Sequence, residues 1–89
     1  MNRITYHDDF LAEWNELKKQ APLACTIIKE SLLLLRNSEP RSMPGVEWDD
    51  QEDYFTWVFE PLDLGVNLNV EVDFRLYQGE VMLLALQTV

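Results

Sequence analysis

Residues 66–76 alternate strictly between apolar and polar side chains, and this pattern constrains the fold more than any other feature of the chain. The odd positions are polar or charged, and the even positions are all apolar: Val66, Leu68, Val70, Val72, Phe74 and Leu76. Because successive side chains of a strand point to opposite faces, the pattern predicts a strand with one buried and one wet face. The even-numbered side chains are expected to pack against helices.

Two neighbouring segments also predict strands. Residues 54–59 are aromatic and β-branched, which favours a strand. Residues 81–86 are apolar at every position, which predicts a central strand covered on both faces or nearly so. Gln78-Gly79 precedes that strand and predicts a tight hairpin turn.

The remaining non-helical segments are a short strand, a turn and a loop. Residues 2–6 alternate and contain β-branched side chains, so they predict a first strand. Pro61 and Gly65 bracket a turn. Residues 38–53 hold two prolines and a glycine followed by five acids, and this composition predicts a loop without regular structure.

Two helices are predicted between the first strand and this loop. Asp8 and Asp9 are expected to cap the first helix, and Pro22 is expected to open the second. Since only a short connection separates them, the helices should form an antiparallel hairpin. The apolar residues recur at helical spacing: Phe10, Trp14, Leu17 and Ala21 in the first helix, and Ala24, Ile27, Ile28, Leu32 and Leu35 in the second.

The order of the elements is β-α-α-β-β-β, which predicts a single α+β domain over residues 1–89. The helical hairpin is expected to pack on one face of a mainly antiparallel sheet. The hydrophobic share of 47% is enough for one core, and a single cysteine excludes a disulfide framework.

The distribution of charge separates the two halves of the chain. Residues 1–46 carry six acids and six bases, whereas residues 47–89 carry ten acids and Arg75 alone, so the whole net charge of −9 lies in the second half. An acidic surface is repelled by phosphate backbones and anionic lipid, which disfavours nucleic acid and membranes as direct partners. No apolar leader or membrane-length segment is visible, and a cytoplasmic protein is expected.

The sequence lacks the usual signatures of catalysis and of cofactor binding. His7 is the only histidine, and Cys25 lies in an apolar helix where it is expected to be buried. The acids of residues 47–53 lack the central glycine and the spacing of a calcium loop, so no metal site and no cofactor is predicted. A solvated loop or a partner-binding patch formed by Asp49, Asp50, Glu52 and Asp53 is expected instead.

Two further features could belong to a binding surface. Glu71 and Asp73 lie on one strand face, where a cross-strand ion ladder with Arg75 explains them more simply than acid–base catalysis does. Trp48 lies in a polar loop among acids, where it either anchors an interface or packs over the helix ends.

The order of elements, together with three segments of text, resembles the RelE/ParE superfamily of toxins from bacterial toxin–antitoxin systems. DDFLAEWNELKKQAP looks like the first helix of that family, and LACTIIKESLLLLRNSEP looks like its second. VEVDFRLYQGEVMLLALQTV is similar to its final pair of strands. The resemblance implies a RelE-like fold over nearly the whole chain.

The resemblance also sets expectations for activity. Ribosome-dependent RNases of this family use basic side chains on the open sheet face and at the C-terminal end, which hold phosphate and stabilise charge. Here that face carries Glu71 and Asp73, and only Arg75 and Tyr77 remain as weak catalytic candidates.

Three functions are therefore considered. The first, which the charge favours, is a non-catalytic module whose acidic half binds a basic protein or a cognate antitoxin-like protein. The second is an atypical toxin, either a ribosome-dependent mRNA endonuclease or a gyrase inhibitor, and the third is a structural protein of a mobile element. Whether the chain forms a homodimer is left open.

Overall fold

The structure is a computed structural model that describes all 89 residues. It contains five strands and three helices, with two short 3₁₀ turns at Leu34–Arg36 and Pro40–Ser42. The strands are β1 (Arg3–Tyr6), β2 (Val46–Asp49), β3 (Tyr54–Phe59), β4 (Val70–Tyr77) and β5 (Glu80–Thr88). The helices are α1 (Asp8–Gln20), α2 (Pro22–Leu33) and α3 (Pro61–Leu64).

All five strands form one sheet in the spatial order β1-β5-β4-β3-β2. β1 runs parallel to β5, and the other three neighbouring pairs are antiparallel. The predicted α+β class, the β-α-α-β-β-β order and the mainly antiparallel sheet are confirmed. The structure adds the edge strand β2, and the turn predicted between Pro61 and Gly65 is the short helix α3.

The helices cover one side of the sheet, which is called the covered face here. Cross-strand pairing places Phe55 beside Phe74 and Trp57 beside Val72 on this face. The whole core is apolar, with no buried polar or charged residue. The residues buried beneath the helices on β3, β4 and β5 are Phe55, Trp57, Phe59, Val70, Val72, Phe74, Val81, Leu83 and Leu86. The opposite side of the sheet is the open face.

The prediction that residues 38–53 form a loop without regular structure is wrong in part. Val46–Asp49 pairs with β3 as the edge strand β2. Val46 and Trp48 face the core side while Glu47 and Asp49 face the open side, so this segment alternates like a strand. Acidic side chains are tolerated on an edge strand, where they also discourage pairing with another chain.

The alternation that begins at Val66 predicts a longer strand than the structure contains. β4 starts at Val70, because Val70 pairs with Phe59, the last residue of β3, and with Thr88 on β5. Before Val70, only the Asn69 carbonyl continues the pairing, since it accepts from the Val89 N–H at 2.9 Å, and residues 66–68 lie in no strand. The predicted burial of Val70, Val72 and Phe74 is confirmed, since all three are fully buried.

β5 is an interior strand of the sheet, as its apolar composition predicted. The predicted coverage on both faces is not complete, because nothing packs over its open face. Asp73 pairs with Ala85 and Phe74 pairs with Leu83, so Leu84 is an extra residue in a β-bulge. The bulge shifts the alternation by one residue, which is why Leu83 and Leu86 are both buried. Met82 remains 37% exposed on the open face.

The first helix is capped differently from the prediction. His7, rather than Asp8 or Asp9, is the N-cap, and its Nδ1 accepts a hydrogen bond from the Asp9 backbone N–H at 3.1 Å. Asp8 and Asp9 occupy the first turn, where carboxylates suit the positive pole of the helix. Pro22 opens α2 as predicted. Neither this helix nor any other is long and apolar enough to cross a membrane.

One ion pair joins the N-terminal strand β1 to β5, in addition to the backbone pairing of the two strands. The Arg3 guanidinium donates to the Glu80 carboxylate at 2.7 Å, and the Thr5 hydroxyl donates to the same carboxylate at 3.1 Å. The hydrogen bond from Arg3, followed by that from Thr5, holds the pKa of Glu80 below its usual 4.5. Both contacts therefore depend on an ionised Glu80.

The register of β4 predicts opposite outcomes for two neighbouring substitutions. Val72→Asp places a carboxylate in the apolar core, so we expect it to lower the free energy of unfolding by about 4 kcal/mol or more. Asp73→Asn keeps an oxygen that accepts from Thr56, so its cost should stay within about 1 kcal/mol. Urea titration of both variants measures the difference, and similar losses in the two would contradict this register.

The contact between Arg3 and Glu80 predicts a stability difference that depends on pH. A carboxyl whose pKa is depressed in the folded state stabilises the fold above its unfolded pKa, and this contribution is lost as pH falls through the folded pKa. Arg3→Gln should therefore be less stable than the wild type at neutral pH and similar to it in acid below the Glu80 pKa. Urea titrations across that range measure the gap, and a gap independent of pH would contradict the pairing.

Candidate functional site

Carboxylates from two strands and one turn lie on the open face, and this surface is called the acidic face here. In the cross-strand pairing, Glu47 lies opposite Thr56, and Thr56 lies opposite Asp73. Glu71 is two residues before Asp73 on β4 and therefore on the same side of the sheet, as predicted. The acidic face comprises Glu47, Asp49, Asp50, Glu52, Asp53, Glu71 and Asp73.

The turn between β2 and β3 is built by one of its own acids. Asp49 Oδ1 accepts hydrogen bonds from the backbone N–H groups of Gln51 and Glu52, both at 3.0 Å. The Asp53 N–H donates to the Asp49 carbonyl at 2.9 Å, and Asp53 has a left-handed backbone with φ of 58°. Asp49 therefore has a structural role, while Asp50, Glu52 and Asp53 present exposed side chains.

The predicted ion ladder of Glu71, Asp73 and Arg75 is wrong. Arg75 Nε donates to the Asp53 carbonyl at 3.0 Å, and a terminal nitrogen donates to the Glu52 carbonyl at 3.4 Å. Asp73 accepts instead from the Thr56 hydroxyl at 2.8 Å, and Glu71 forms no ion pair. Backbone carbonyls of the left-handed turn hold Arg75 away from the carboxylates, which therefore keep their negative charge unpaired.

Tyr54 reports the negative potential of this surface. Its pKa is raised above the usual 10.0, chiefly by the charge of Asp73, then by partial burial and by the charges of Asp49 and Glu52. A phenolate beside carboxylates is disfavoured by like-charge repulsion. The carboxylates of β2, the turn and β4 therefore act on one common site, although they are distant in sequence.

Trp48 does not share this surface. Its ring centroid lies 4.6 Å from that of Phe55, and the Arg41 guanidinium stands 4.9 Å from the centre of the Trp48 ring. The side chain is half-buried on the covered side, packed against the core. Trp48 packs on the sheet rather than over the ends of α1 or α2, and it lines a shallow recess together with Arg41 and Asp53. Its role as an interface anchor stays a prediction.

The two weak catalytic candidates lie two residues apart on the open face of β4. Arg75 is engaged by the turn carbonyls, and Tyr77, 70% exposed, is paired across the hairpin with Glu80. The Glu80 carboxylate beside Tyr77 is paired with Arg3, so the cation at this end of the open face is already engaged, whereas cleavage of RNA requires a cation to stabilise the phosphate.

Other reactive groups are dispersed. Cys25 is buried, and burial raises the pKa of its thiol, so it stays protonated at neutral pH. His7 serves as a helix cap, and its Nδ1 lies 3.6 Å from an Asp9 carboxylate oxygen. No group of three or more histidine, cysteine or acidic side chains lies close enough to hold a metal ion. The arrangement can attract cations electrostatically, and Cys25 and His7 both lie outside it.

Sequence reasoning missed two neighbours of the acidic face, Tyr54 and Thr56, and it placed Glu47 in a loop rather than on a strand. The alternation in Val46–Asp49 could have placed Glu47 beside the other acids, but prolines, glycine and clustered acids around it favoured a loop. The hydrogen bond between Thr56 and Asp73 depends on the pairing of β3 with β4 and has no signal in the sequence.

Comparison with models of protein families, with curated proteins and with solved structures gave no significant match to this chain.

The electrostatics of the acidic face predict a change in the titration of Tyr54. Asp73→Asn removes the largest of the charges that disfavour the phenolate, so the Tyr54 pKa should fall toward 10.0. Glu71→Gln is the matched control, because it removes a charge from the same strand face that does not contribute to the shift. Tyrosine ring resonances followed by NMR through alkaline pH measure both variants, and an equal fall in the two would contradict the geometry.

Proposed function

We propose that the protein is a non-catalytic binding module that engages a basic protein partner through its acidic face. The observation that carries the proposal is the unpaired set of carboxylates on the open face, where the only cation of the second half, Arg75, is bound to backbone carbonyls. A surface of one charge sign attracts a complementary partner and repels nucleic acid and anionic membranes.

The construction of the face supports recognition rather than catalysis. β3 and β4 are central strands, so Glu71, Asp73 and Thr56 lie on a rigid platform. The carboxylates of Asp50, Glu52 and Asp53 extend from the neighbouring turn. Asp49 and Arg75 stabilise this turn by hydrogen bonds to its backbone N–H and carbonyl groups, which form without a ligand. A preorganised surface loses little conformational entropy when a partner binds.

The proposal includes the relationship suggested by the sequence. A RelE/ParE-like domain without the basic side chains of the toxins fits a protein that acts by contact, in the cytoplasm, on a basic partner or a cognate antitoxin-like protein. The open face is acidic where phosphate binding requires cations, and this supports the binding module over the alternative, an atypical endonuclease or gyrase toxin.

Association with a lysine-rich peptide tests the proposal. Glu71→Gln combined with Asp73→Asn should slow association about threefold to tenfold, because complementary charge acts mainly on the rate of encounter. Glu13→Gln combined with Glu30→Gln removes the same charge from the helices and is the matched control. Surface plasmon resonance at several salt concentrations measures both, and the difference should shrink as the Debye length falls below about 8 Å.

Two results would overturn the proposal. Equal slowing by the two double variants would mean that net charge alone, and not the acidic face, determines association. Cleavage of ribosome-bound message in a translation extract, lost on Tyr77→Phe or Arg75→Gln, would instead establish the endonuclease.

A further inference from the structure

A cleft lies on the covered side of the sheet, away from the acidic face. It has a volume of about 520 Å³, and its walls come from β1, α1 and α2, with Leu83 of β5 among the lining residues. Elements on three sides therefore line one recess that is half open to water, and its volume falls within the ~300–1,000 Å³ typical of small-molecule sites.

The lining of this cleft is mostly apolar. Phe10 and Trp14 are stacked with ring centroids 5.8 Å apart, and Leu32 contributes a further apolar side chain from α2. Tyr6 and Leu33 border the cleft and are 58% and 42% exposed. Large apolar side chains left open to water on a small protein indicate a surface that gains free energy when it is covered.

The charged residues of the cleft are all basic. Lys18, Lys29 and Arg36 line it, and no aspartate or glutamate does. On a chain with a net charge of −9 and sixteen acids, such a grouping runs against the overall charge.

These three cations are also the ones that the fold leaves without a partner. Of the seven lysines and arginines in the chain, Arg3 pairs with Glu80 and Lys19 pairs with Glu16. Arg41 stands over Trp48, and Arg75 binds the turn carbonyls. Lys18, Lys29 and Arg36 form no ion pair and no side-chain hydrogen bond.

We infer that this cleft binds a small amphiphile with one carboxylate and an apolar chain or ring. The apolar part covers the recess between β1, α1 and α2, and the carboxylate is placed beside Lys29 and Arg36, which lie two turns apart along α2 and the 3₁₀ turn that follows it. The net charge argues for a single anionic group: each further negative charge adds repulsion from the chain as a whole, which disfavours an acidic polypeptide or an anionic membrane in this place.

Titration with decanoate below its micelle concentration tests the inference, with 1-decanol as the neutral control. Decanoate should change the fluorescence of Trp14 and shift amide resonances of β1, α1 and α2, whereas decanol should bind about tenfold more weakly. Lys29→Gln combined with Arg36→Gln should weaken decanoate binding about tenfold and leave decanol unchanged. Lys19→Gln, a neighbouring lysine outside the cleft, is the matched control.

Variants of the acidic face distinguish decanoate binding in the cleft from partner binding on the acidic face. Glu71→Gln with Asp73→Asn should leave decanoate binding intact, so failure of the proposed partner interaction would not affect this result. Equal binding of decanol and decanoate, or decanoate binding that is unchanged by Lys29→Gln with Arg36→Gln, would overturn the inference. Binding to anionic vesicles, or to an acidic amphipathic peptide that decanoate fails to displace, would overturn it as well.

Discussion

The pairing of β3 with β4 is the interaction on which the rest of the structure depends. It places Phe55 against Phe74, with ring centroids 5.2 Å apart, and Trp57 beside Val72 on the side that the helices cover. Because side chains alternate along a strand, the same register necessarily brings Thr56 and Asp73 together on the other side. A shift of one residue would bury the acids and expose the aromatic rings. Burial of the aromatic residues therefore determines where the acidic face lies.

The acidic face follows from this register and from one unusual turn. A left-handed Asp53 directs its carbonyl toward Arg75, and the arginine satisfies a backbone acceptor instead of a carboxylate. An arginine paired with Asp73 would have cancelled part of the charge that raises the Tyr54 pKa. The negative potential thus results from where the cation is held as well as from the number of acids.

The alternation of β4 and the helical spacing of α1 and α2 were sufficient to predict the fold class, because both patterns are repeated over many residues. The turn at Gln78-Gly79 was also predictable, and both residues have the positive φ that a two-residue hairpin turn requires. The bulge at Leu84 was not, since an entirely apolar segment carries no sign of an extra residue. The acids could be assigned to one half of the chain, but their neighbours on the open face depend on strand pairing.

The two sides of the molecule carry unpaired charges of opposite sign. On the open face, Arg75 donates to backbone carbonyls of the turn and forms no ion pair with the carboxylates. On the helical side, Lys18, Lys29 and Arg36 stay unpaired although the chain has more than twice as many acids as bases. Exposed ion pairs contribute little to stability, so the fold loses little by leaving both sets unpaired. Separated charges of opposite sign instead give two surfaces for which we propose different ligands, a cationic partner on the acidic face and a carboxylate with an apolar body in the cleft.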